Sequence, residues 1–487
     1  MNPRFINIDT TTPLENIKFS YSPSNDYYVT YDNLIARQGT PDINFNDYAV
    51  IPSLGSFYTH GQFLLGSRFV DNYQYAGNVY GVQWDTANQS PECTRIGNLS
   101  LHATLPVQSQ MVGGVMTDDG TFTPFQNQSD WTSEIRDGST GQIMVKIPQY
   151  WCKFVTEGTI LKVLLSAVPV VGFKLIPEIY VSAYEAALDR TNLKLASVVN
   201  NSTQFRGGNN TASWDGTYRD LLGRPATNLS LTDFRTYARN RNMVDGNMDT
   251  RWNCMLYEVQ RSLYWLYVTE YATLNSQKAY NAELTGEGFH QGGLGAGVTE
   301  WTDSAWNSFN GYNPFVPCGY TDEFGNQTGV KNYEVKNAND TVLYTAKVPR
   351  YHGVENPFGH IWQWTDGILV DVTTSTSPVY LCSDPAKFSS TSYEDYTYIG
   401  DEYRSNNFIK EIHFGENGDI TAKTGIGSST SYYCDYHYTD TQQSGLRGVL
   451  FGGRAANGAS CGFVFSSSHY VPSYSFPTLG SRLCFKP

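Results

Sequence analysis

Charged residues are scarce in this sequence, and those present are mostly acidic. Only 16% of the 487 residues are Asp, Glu, Lys or Arg, and 33 basic against 46 acidic residues give a formal net charge of −13. No block of Lys or Arg offers the positive surface that binds a nucleic-acid backbone. We therefore expect no nucleic-acid partner.

Long apolar segments are also missing. The N-terminal stretch MNPRFINIDTTTPLENIKFS has no apolar core of the kind that a secretion signal needs. The longest apolar run, 160–176, is interrupted by Lys162, Pro169 and Lys174 and is too short to span a bilayer. We expect no signal peptide, no membrane insertion and synthesis in a cytoplasm.

Recognisable catalytic and metal-binding motifs are absent as well. The eight cysteines are widely scattered, with no CxxC pair and no Cys/His cluster at zinc spacing, so we expect mainly buried free thiols. No GxSxG motif occurs, and no spacing of Asp and Glu singles out a glycosidase pair. We expect no enzymatic activity and no cofactor. The Asp- and Asn-rich loops leave a structural calcium ion open, with no ligands assigned.

Aromatic residues are abundant instead. They make up 14% of the chain, including 35 Tyr, a composition typical of folded rather than disordered proteins. The length allows two to four domains. Residues 1–75 are rich in Asn, Asp, Tyr and Pro, with strand-like patches such as 27–31. This region is either an arm that attaches to a neighbouring subunit or particle, or an ordinary β-subdomain.

Residues 76–175 carry the pattern of β structure. Apolar residues alternate from Val79 to Asp85, and turn signals occur at Asp119-Gly120 and Asp137-Gly138. Two apolar runs, 142–154 and 161–173, flank Glu157-Gly158 and predict a hairpin.

Two helices are predicted after residue 176. Ser230 and Asp233 form a capping box that begins a helix from Leu231 to about Arg239. An apolar face spaced by three and four predicts a second helix from about 249 to 273, whose stripe packs in the core. The Gly- and Trp-rich stretch 286–301 predicts a loop around packed tryptophans.

The C-terminal segment 445–487 combines Gly, Ser and aromatic residues and ends in a short apolar strand, 479–485. It resembles the C-terminal core of the formylglycine-generating-enzyme branch of the C-type lectin fold, in which a GG strand opens the segment and a GFR strand closes it. Ser481 stands where that family usually has Phe. Phage and bacterial ligand-binding proteins diversified by retroelements are similar.

Two upstream segments extend the resemblance. Residues 356–364, NPFGHIWQW, are similar to the family's NxxGNvWEW strand, with His360 in place of Asn and Gln363 in place of Glu. Residues 178–185 resemble its opening strand. The stretches GVQWDTANQSPECTRIG and QIMVKIPQYWCKF resemble a segment found upstream of lectin-fold domains in phage tail and fibre proteins.

The resemblance implies an α+β fold: an N-terminal β-rich region followed by a C-type lectin-like domain with two helices and short twisted sheets. The expected divisions are 1–75, 76–175 and 176–487, with an insertion of short strands at about 370–445. In the family, two tryptophans of the NxxGNvWEW strand pack the core beneath the binding face.

The family's ligand surface lies between the GG strand and the closing strand. By position it corresponds here to exposed residues: Arg454, Asn457, Ser460, Phe463, Phe465, Ser467, His469, Tyr470, Tyr474 and Phe476. A cluster of exposed rings typically marks an interaction surface. The alternative is that 463–465 form a buried strand and only 466–476 is exposed.

The function implied is that of a virion fibre or receptor-binding protein, which binds a host surface protein or glycan without covalent chemistry. Expected partners are other copies of the chain in a trimer, other virion proteins through the N-terminal region, and the host surface. The alternatives are a head fibre or capsid decoration protein, or a metal-dependent oxidase of the sulfatase-modifying type. The oxidase needs two closely spaced cysteines, whereas Cys461 and Cys484 lie far apart in the sequence.

Overall fold

The computed structural model describes residues 77–170, 172–208 and 221–487, together with the backbone of four short strands nearer the N-terminus. Those strands are β1 (Arg4–Ile6), β2 (Tyr27–Val29), β3 (Val50–Ile51) and β4 (Ser56–Phe57). The pair β1–β2 is parallel and the pair β3–β4 antiparallel. β2 confirms a strand within 27–31, whereas the attachment role expected for 1–75 lies outside the described residues.

A five-stranded sheet contains the predicted hairpin. The elements that follow in chain order are β5 (Tyr80–Asp85), β6 (Thr94–Gly97), α1 (Leu99–Thr104), β7 (Val112–Met116), β8 (Phe122–Pro124), β9 (Gln142–Ile147), β10 (Tyr150–Glu157), β11 (Ile160–Ser166) and β12 (Lys174–Ile176). The strand order is β12-β10-β11-β5-β6. β10 and β11 pair antiparallel from Trp151–Ser166 to Glu157–Ile160, so the hairpin turns at Gly158 as expected.

The first part of the 142–154 run belongs to a different sheet. β9 ends at Ile147, and Pro148 follows, which has no amide hydrogen to continue a ladder. The next strands are β13 (Ile179–Ser182), β14 (Ala187–Asp189) and β15 (Lys194–Ala196). β9 pairs with both β7 and β13. β13 lies where the sequence places the family's opening strand.

The helical region begins as predicted and then departs from the prediction. Its elements are α2 (Leu231–Arg239), β16 (Met243–Val244), β17 (Asn247–Met248), β18 (Trp252–Cys254), α3 (Tyr257–Tyr271), β19 (Tyr280–Asn281), β20 (Gln291–Gly292) and α4 (Asp303–Asn310). The capping box is present: Ser230 Oγ accepts from the Asp233 amide at 3.1 Å, and the Asp233 carboxylate accepts from the Ser230 amide at 3.0 Å.

The predicted start of the second helix was wrong. α3 begins at Tyr257 rather than near 249, because Trp252–Cys254 form a strand that pairs with the C-terminal end of the chain. Core packing of its apolar face is confirmed, and the burial extends round nearly the whole helix.

The expectation of only two helices after 176 was also wrong. α4 is a third, capped by the Thr302 hydroxyl, which accepts from the Ala305 amide at 3.2 Å, and ended by Gly311 at a φ of 62°. It is short and carries few apolar residues, so its periodicity is weak. Trp306 of α4 packs with Trp301 and Phe315 in a second apolar cluster.

The remainder of the chain is β structure. Its strands are β21 (Gly329–Lys336), β22 (Val342–Tyr351), β23 (Val354–Glu355), β24 (Trp362–Val372), β25 (Pro378–Leu381), β26 (Thr397–Asp401), β27 (Asn407–Phe408), β28 (Glu411–Ile412), β29 (Ala422–Thr424), β30 (Tyr436–Thr439), β31 (Gly445–Gly452), β32 (Gly462–Ser468), β33 (Leu479–Gly480) and β34 (Leu483–Phe485). Six short strands lie between 378 and 439, as expected, whereas an insertion at about 370–445 stays a prediction. The described residues contain far more strand than helix.

The largest sheet organises the C-terminal part of the molecule. It has the order β26-β25-β24-β31-β32-β30-β27, and β33 adds to β24 in parallel. The expectation that all sheets are short therefore fails for this one. Trp362 and Trp364 of β24 are buried, as the resemblance implies for the two tryptophans.

A second sheet, β18-β34-β13-β9-β7-β8, contains the last strand of the chain together with strands from both sides of residue 175. One continuous apolar cluster contains Trp84, Met144, Trp265, Trp364 and Phe485 and so also spans that position. The division of the chain at 175 stays a prediction, with core and sheet shared across it.

The residues that depart from the family pattern have buried polar partners. His360 Nδ1 lies 2.5 Å from the Glu185 carboxylate, and its Nε2 accepts from the Phe315 amide at 3.2 Å. Gln363 Oε1 accepts from Arg482 Nε at 3.2 Å. Ser481 Oγ donates to Trp364 O at 2.7 Å and accepts from the Met255 amide at 3.1 Å. Ser481 therefore ties the chain end to β24 at a position where a phenylalanine has no hydrogen bond to offer.

Candidate ligand-binding cleft

A cleft of about 460 Å³ opens beside the largest sheet. Its walls come from the segment that follows β32, from the loop between β31 and β32, and from β24, β30 and Tyr312 after α4. The loop leaves β31 through Gly452 and Gly453, with φ of 95° and 82°. At Gly453 a Cβ atom would lie 2.6 Å from both Cys461 Sγ and the Phe465 ring, so this close approach requires glycine.

Stacked aromatic rings form one wall. The Tyr470 and Tyr474 rings are 4.1 Å apart and nearly parallel, at 6°. Phe476 continues the stack at 6.4 Å and 11° from Tyr474, and His469 meets Tyr470 edge-on at 4.6 Å. Each such pair contributes about 0.5–1.5 kcal/mol beyond burial. The rings are therefore held in place before any ligand arrives.

The facing wall is also aromatic, with Trp362 and Tyr438 at the cleft and Phe465 behind them. The Phe465 ring lies 4.5 Å from Trp362 and 5.5 Å from Tyr438. Burial raises the pKa of the Tyr438 hydroxyl, which therefore stays a neutral hydrogen-bonding group.

The exposure expected for Phe463 and Phe465 was wrong, since both side chains are 0% exposed. β32 lies inside the sheet between β31 and β30, and all seven of its residues are buried because aromatic side chains from other elements pack over it. Phe463 packs against Tyr267 of α3 at 5.3 Å and Phe358 at 5.5 Å. The buried-strand alternative is confirmed for 463–465. Phe465 supports the wall from behind, and Phe463 is part of the core.

Polar side chains close one end of the cleft. The Arg454 guanidinium lies 5.5 Å from the Tyr312 ring centroid, and its Nη2 is 2.8 Å from Asp303 Oδ1. Asn457 Oδ1 accepts from the Arg454 amide at 2.9 Å. Tyr312 has a φ of 66°, an unfavourable backbone conformation for a bulky residue of the kind that concentrates at functional sites.

A buried carboxyl group connects the two strands beneath the cleft. Glu402 accepts from Ser468 Oγ at 2.5 Å and from Thr439 Oγ1 at 2.9 Å. Burial raises the pKa of the Glu402 carboxyl to about 7, although both hydrogen bonds oppose the rise. His437 Nδ1 lies 3.0 Å from Ser466 Oγ, and burial lowers the pKa of His437 to about 4. These contacts fix β30 against β32.

Most of the expected site residues converge on this one cleft. The seven that line it are Arg454, Asn457, Ser467, His469, Tyr470, Tyr474 and Phe476. The exposure expected for Ser467 was wrong: β32 continues to Ser468, so Ser467 is buried, and its Oγ accepts from the His469 amide at 3.4 Å. Ser460 ends the short 3-10 turn Gly458–Ser460 in the loop and is not among the lining residues.

Six further lining residues were missed by sequence reasoning: Tyr312, Trp362, Asn406, Tyr438, Thr478 and Leu479. Trp362 was expected in the core beneath the face, and it also reaches the cleft. Tyr312 and Tyr438 lie in stretches rich in aromatic residues, around 312 and 432–438, but this composition does not indicate where in the fold the rings lie.

The cysteines of the oxidase alternative have separate surroundings. Cys461 Sγ is 3.3 Å from Arg454 O, whereas Cys484 Sγ is 4.0 Å from Met255 Sδ. Burial raises the pKa of both thiols, so they favour the protonated, unreactive form. All eight cysteines are free, and six are buried.

Within 77–170, 172–208 and 221–487, no group of three or more His, Cys, Asp or Glu is placed to hold a metal ion.

A larger cleft, of about 920 Å³, lies between the β10–β11 turn and the 399–424 segment. Its lining is rich in glycine and acid, including Gly400, Gly415, Glu411 and Glu416. None of the ligand-binding residues expected from the sequence lines this larger cleft.

Among the described helices, none is long and apolar enough to cross a membrane.

Comparison with known proteins gives distant likenesses among solved structures. No protein-family model matches the sequence, and no curated protein matches it. Among solved structures, Treponema denticola variable protein 1 is similar at 11% identity and a TM-score of 0.28, covering 71% of this chain and 96% of that one. The Major Tropism Determinant P3c variant has 13% identity and a TM-score of 0.22, with 77% and 71% covered. The U1 variant has 9% and 0.17, with 75% and 89% covered.

Proposed function

We propose that this chain is a virion receptor-binding protein that attaches to a host surface protein or glycan through the cleft around 454–476. The observation that carries the proposal is the convergence of seven expected residues on one aromatic-lined cleft. The ligand surface was placed by resemblance alone, and it coincides with a concavity whose size is usual for binding sites, about 300–1,000 Å³.

The packing of the cleft supports tight binding without chemistry. The Tyr470–Tyr474–Phe476 stack and the Trp362–Phe465 pair are already ordered, so a ligand does not have to immobilise them. Preorganised rings reduce the entropy cost of association, and aromatic and Arg side chains supply most binding energy at interfaces. Binding therefore needs no chemical reaction, because the sheet already holds the rings and polar groups in position.

Several copies of the cleft would act together in an oligomer. We propose a trimer, in which linked sites raise the overall affinity well above that of one site. Sedimentation velocity of the purified protein measures this state directly: the proposal expects a species of three times the chain mass. A monomer at concentrations used for binding would contradict it.

Binding of the purified protein to candidate host cells tests the proposal. The variant Tyr470→Ser/Tyr474→Ser/Phe476→Ser removes the stacked wall, and we expect loss of saturable binding. Tyr398→Ser is the matched control, because Tyr398 is 53% exposed on β26 and does not line the cleft. Circular dichroism of each variant checks that the fold persists.

Retention of full binding by a folded triple variant would contradict the assignment of the receptor surface to this cleft. Loss of binding in the Tyr398 control alone would place that surface on the β25–β26 side of the sheet. Absence of binding by the wild type to every host strain tested would contradict the receptor-binding role itself.

A further inference from the structure

The cleft has a charge pattern opposite to that of the whole chain. The protein carries a formal charge of −13, yet the charged or ionisable residues Arg454 and His469 line the cleft. In the part of the chain that the structure describes, none of the lining residues is Asp or Glu. Arg454 and His469 are therefore the lining groups able to attract a ligand with negative charge, and Arg454 already holds the Asp303 carboxylate at 2.8 Å.

The polar side chains are arranged as hydrogen-bond donors. Asn457 Oδ1 accepts from the Arg454 amide, and Asn406 Oδ1 accepts from the Thr439 amide at 2.8 Å. Because each side-chain carbonyl is engaged within the protein, the amide NH2 is what each asparagine offers to a ligand. The Arg454 guanidinium adds a planar donor fork suited to a carboxylate.

The aromatic wall suits a sugar ring. The Tyr474 and Phe476 rings are parallel within 11°, with centroids 6.4 Å apart, and both line the cleft; we call this apolar surface the Tyr474–Phe476 strip. The electron-rich face of an aromatic ring attracts polarised C–H groups, which a pyranose presents on one face while its hydroxyls point sideways. A cleft of about 460 Å³ has the size of a small-ligand site rather than of a flat protein interface.

We infer that the cleft binds a carboxylated sugar, a sialic or uronic acid unit of a surface glycan. This inference rests on the proposed function, since it names the ligand of the same site. The pyranose packs on the Tyr474–Phe476 strip, Arg454 receives the carboxylate, and the amides of Asn406 and Asn457 donate to ring hydroxyls.

Asp303 acts as an internal competitor for the same guanidinium. Its Oδ1 lies 2.8 Å from Arg454 Nη2, and its side chain is 54% exposed at the start of α4. A ligand carboxylate that reaches Arg454 takes the place of the Asp303 carboxylate. Removal of the Asp303 charge therefore strengthens binding of an acidic sugar, an effect that a purely structural role of Arg454 does not produce.

Titration calorimetry with matched sugars tests the inference. The probes are sialyllactose and trigalacturonate, each paired with its carboxyl-reduced analogue. We expect at least one acidic probe to bind the wild type about tenfold more tightly than its reduced analogue, the ratio for one charge-assisted hydrogen bond. Arg454→Gln abolishes that preference. Asp303→Asn frees the Arg454 guanidinium and raises affinity for the acidic probe more than for the reduced one.

Equal affinity for the acidic and reduced probes, no measurable binding of either acidic probe, or no gain in Asp303→Asn would overturn the inference. The two acidic probes distinguish sialic from uronic acid as the source of the carboxylate. The cell-binding experiment shows whether the sugar inference alone is wrong or the receptor-binding proposal is wrong as well. Suppose that the triple variant does not bind cells, and that binding of the wild type is abolished by protease treatment of the cells but not by carboxyl reduction of their surface. The ligand is then a protein, so the cleft remains the receptor site and the sugar inference is wrong.

Discussion

At the scale of single residues, the buried carboxyl of Glu402 shows how the cleft depends on groups that no ligand contacts. Glu402 is 6% exposed and joins Ser468 of β32 to Thr439 of β30. His437 Nε2 lies 3.8 Å away, and Arg404 acts on the same carboxyl from its own segment. Because burial raises its pKa to about 7, the folded protein holds a proton there that the unfolded chain releases near pH 4.3.

A pH dependence of stability follows from this difference. Between about pH 4.3 and 7 the folded state binds the extra proton, so the contribution of Glu402 is fully present at the lower pH and is lost as the pH rises towards 7. The loss is of the order of 3 kcal/mol at most. Urea denaturation at pH 5 and pH 7.5 measures it. Glu402→Gln should lose less stability than the wild type over this interval, because the amide does not ionise.

An equal change in the free energy of unfolding for wild type and Glu402→Gln would show that Glu402 does not titrate in this window. Comparison of the two proteins is needed because burial also raises the pKa of Glu355 to about 7. That second group contributes equally to both proteins.

The sequence predicted individual cleft residues well where the chain is exposed and poorly where long-range pairing decides burial. His469, Tyr470, Tyr474 and Phe476 lie in a polar, irregular stretch, so their position at the cleft was predictable from the local pattern and the resemblance. The phenylalanines of β32 were not, because rings from distant segments cover them: Tyr267 packs on Phe463, and Trp362 packs on Phe465. Asn406 and Tyr438 reach the cleft only through tertiary packing.

At the scale of elements, the last strand is the piece that joins distant parts of the chain. β34 pairs with β13 and β18, and Phe485 packs at 4.9 Å from Trp252 and 6.2 Å from Tyr180. Local signals located α2 to the residue, because a capping box is read from four consecutive positions. They failed at the start of α3, where pairing of β18 with β34 overrides the helical spacing.

Truncation of Phe485 tests the importance of this pairing. Phe485→Ala empties a buried site between two sheet neighbours, and we expect a loss of about 3–5 kcal/mol in the free energy of unfolding. Chemical denaturation provides the measurement, with Tyr398→Ser as an exposed aromatic control whose cost should be small. A loss below about 1 kcal/mol would mean that the C-terminal strand is not part of the cooperative core.

At the scale of the whole molecule, the cleft is assembled from segments far apart in sequence. Tyr312, Trp362, Tyr438 and Arg454 come from different elements, and the sheet built on β24, β31 and β32 holds them together. The sequence and its resemblance predicted a C-terminal ligand surface between an opening GG strand and a closing strand, and that surface stays a prediction. The wall residues outside 445–487 could not be predicted, because their convergence is a property of the folded sheet.

Photo-crosslinking from the cleft tests the central claim most directly. A photoreactive p-benzoylphenylalanine replaces Tyr474 in one variant and Tyr398 in another, and each purified protein is irradiated on host cells. The account predicts a covalent adduct with a host surface molecule from position 474 and none from position 398. Adducts from 398 alone, or no adduct from 474 while the variant still binds cells, would contradict the assignment of receptor binding to this cleft.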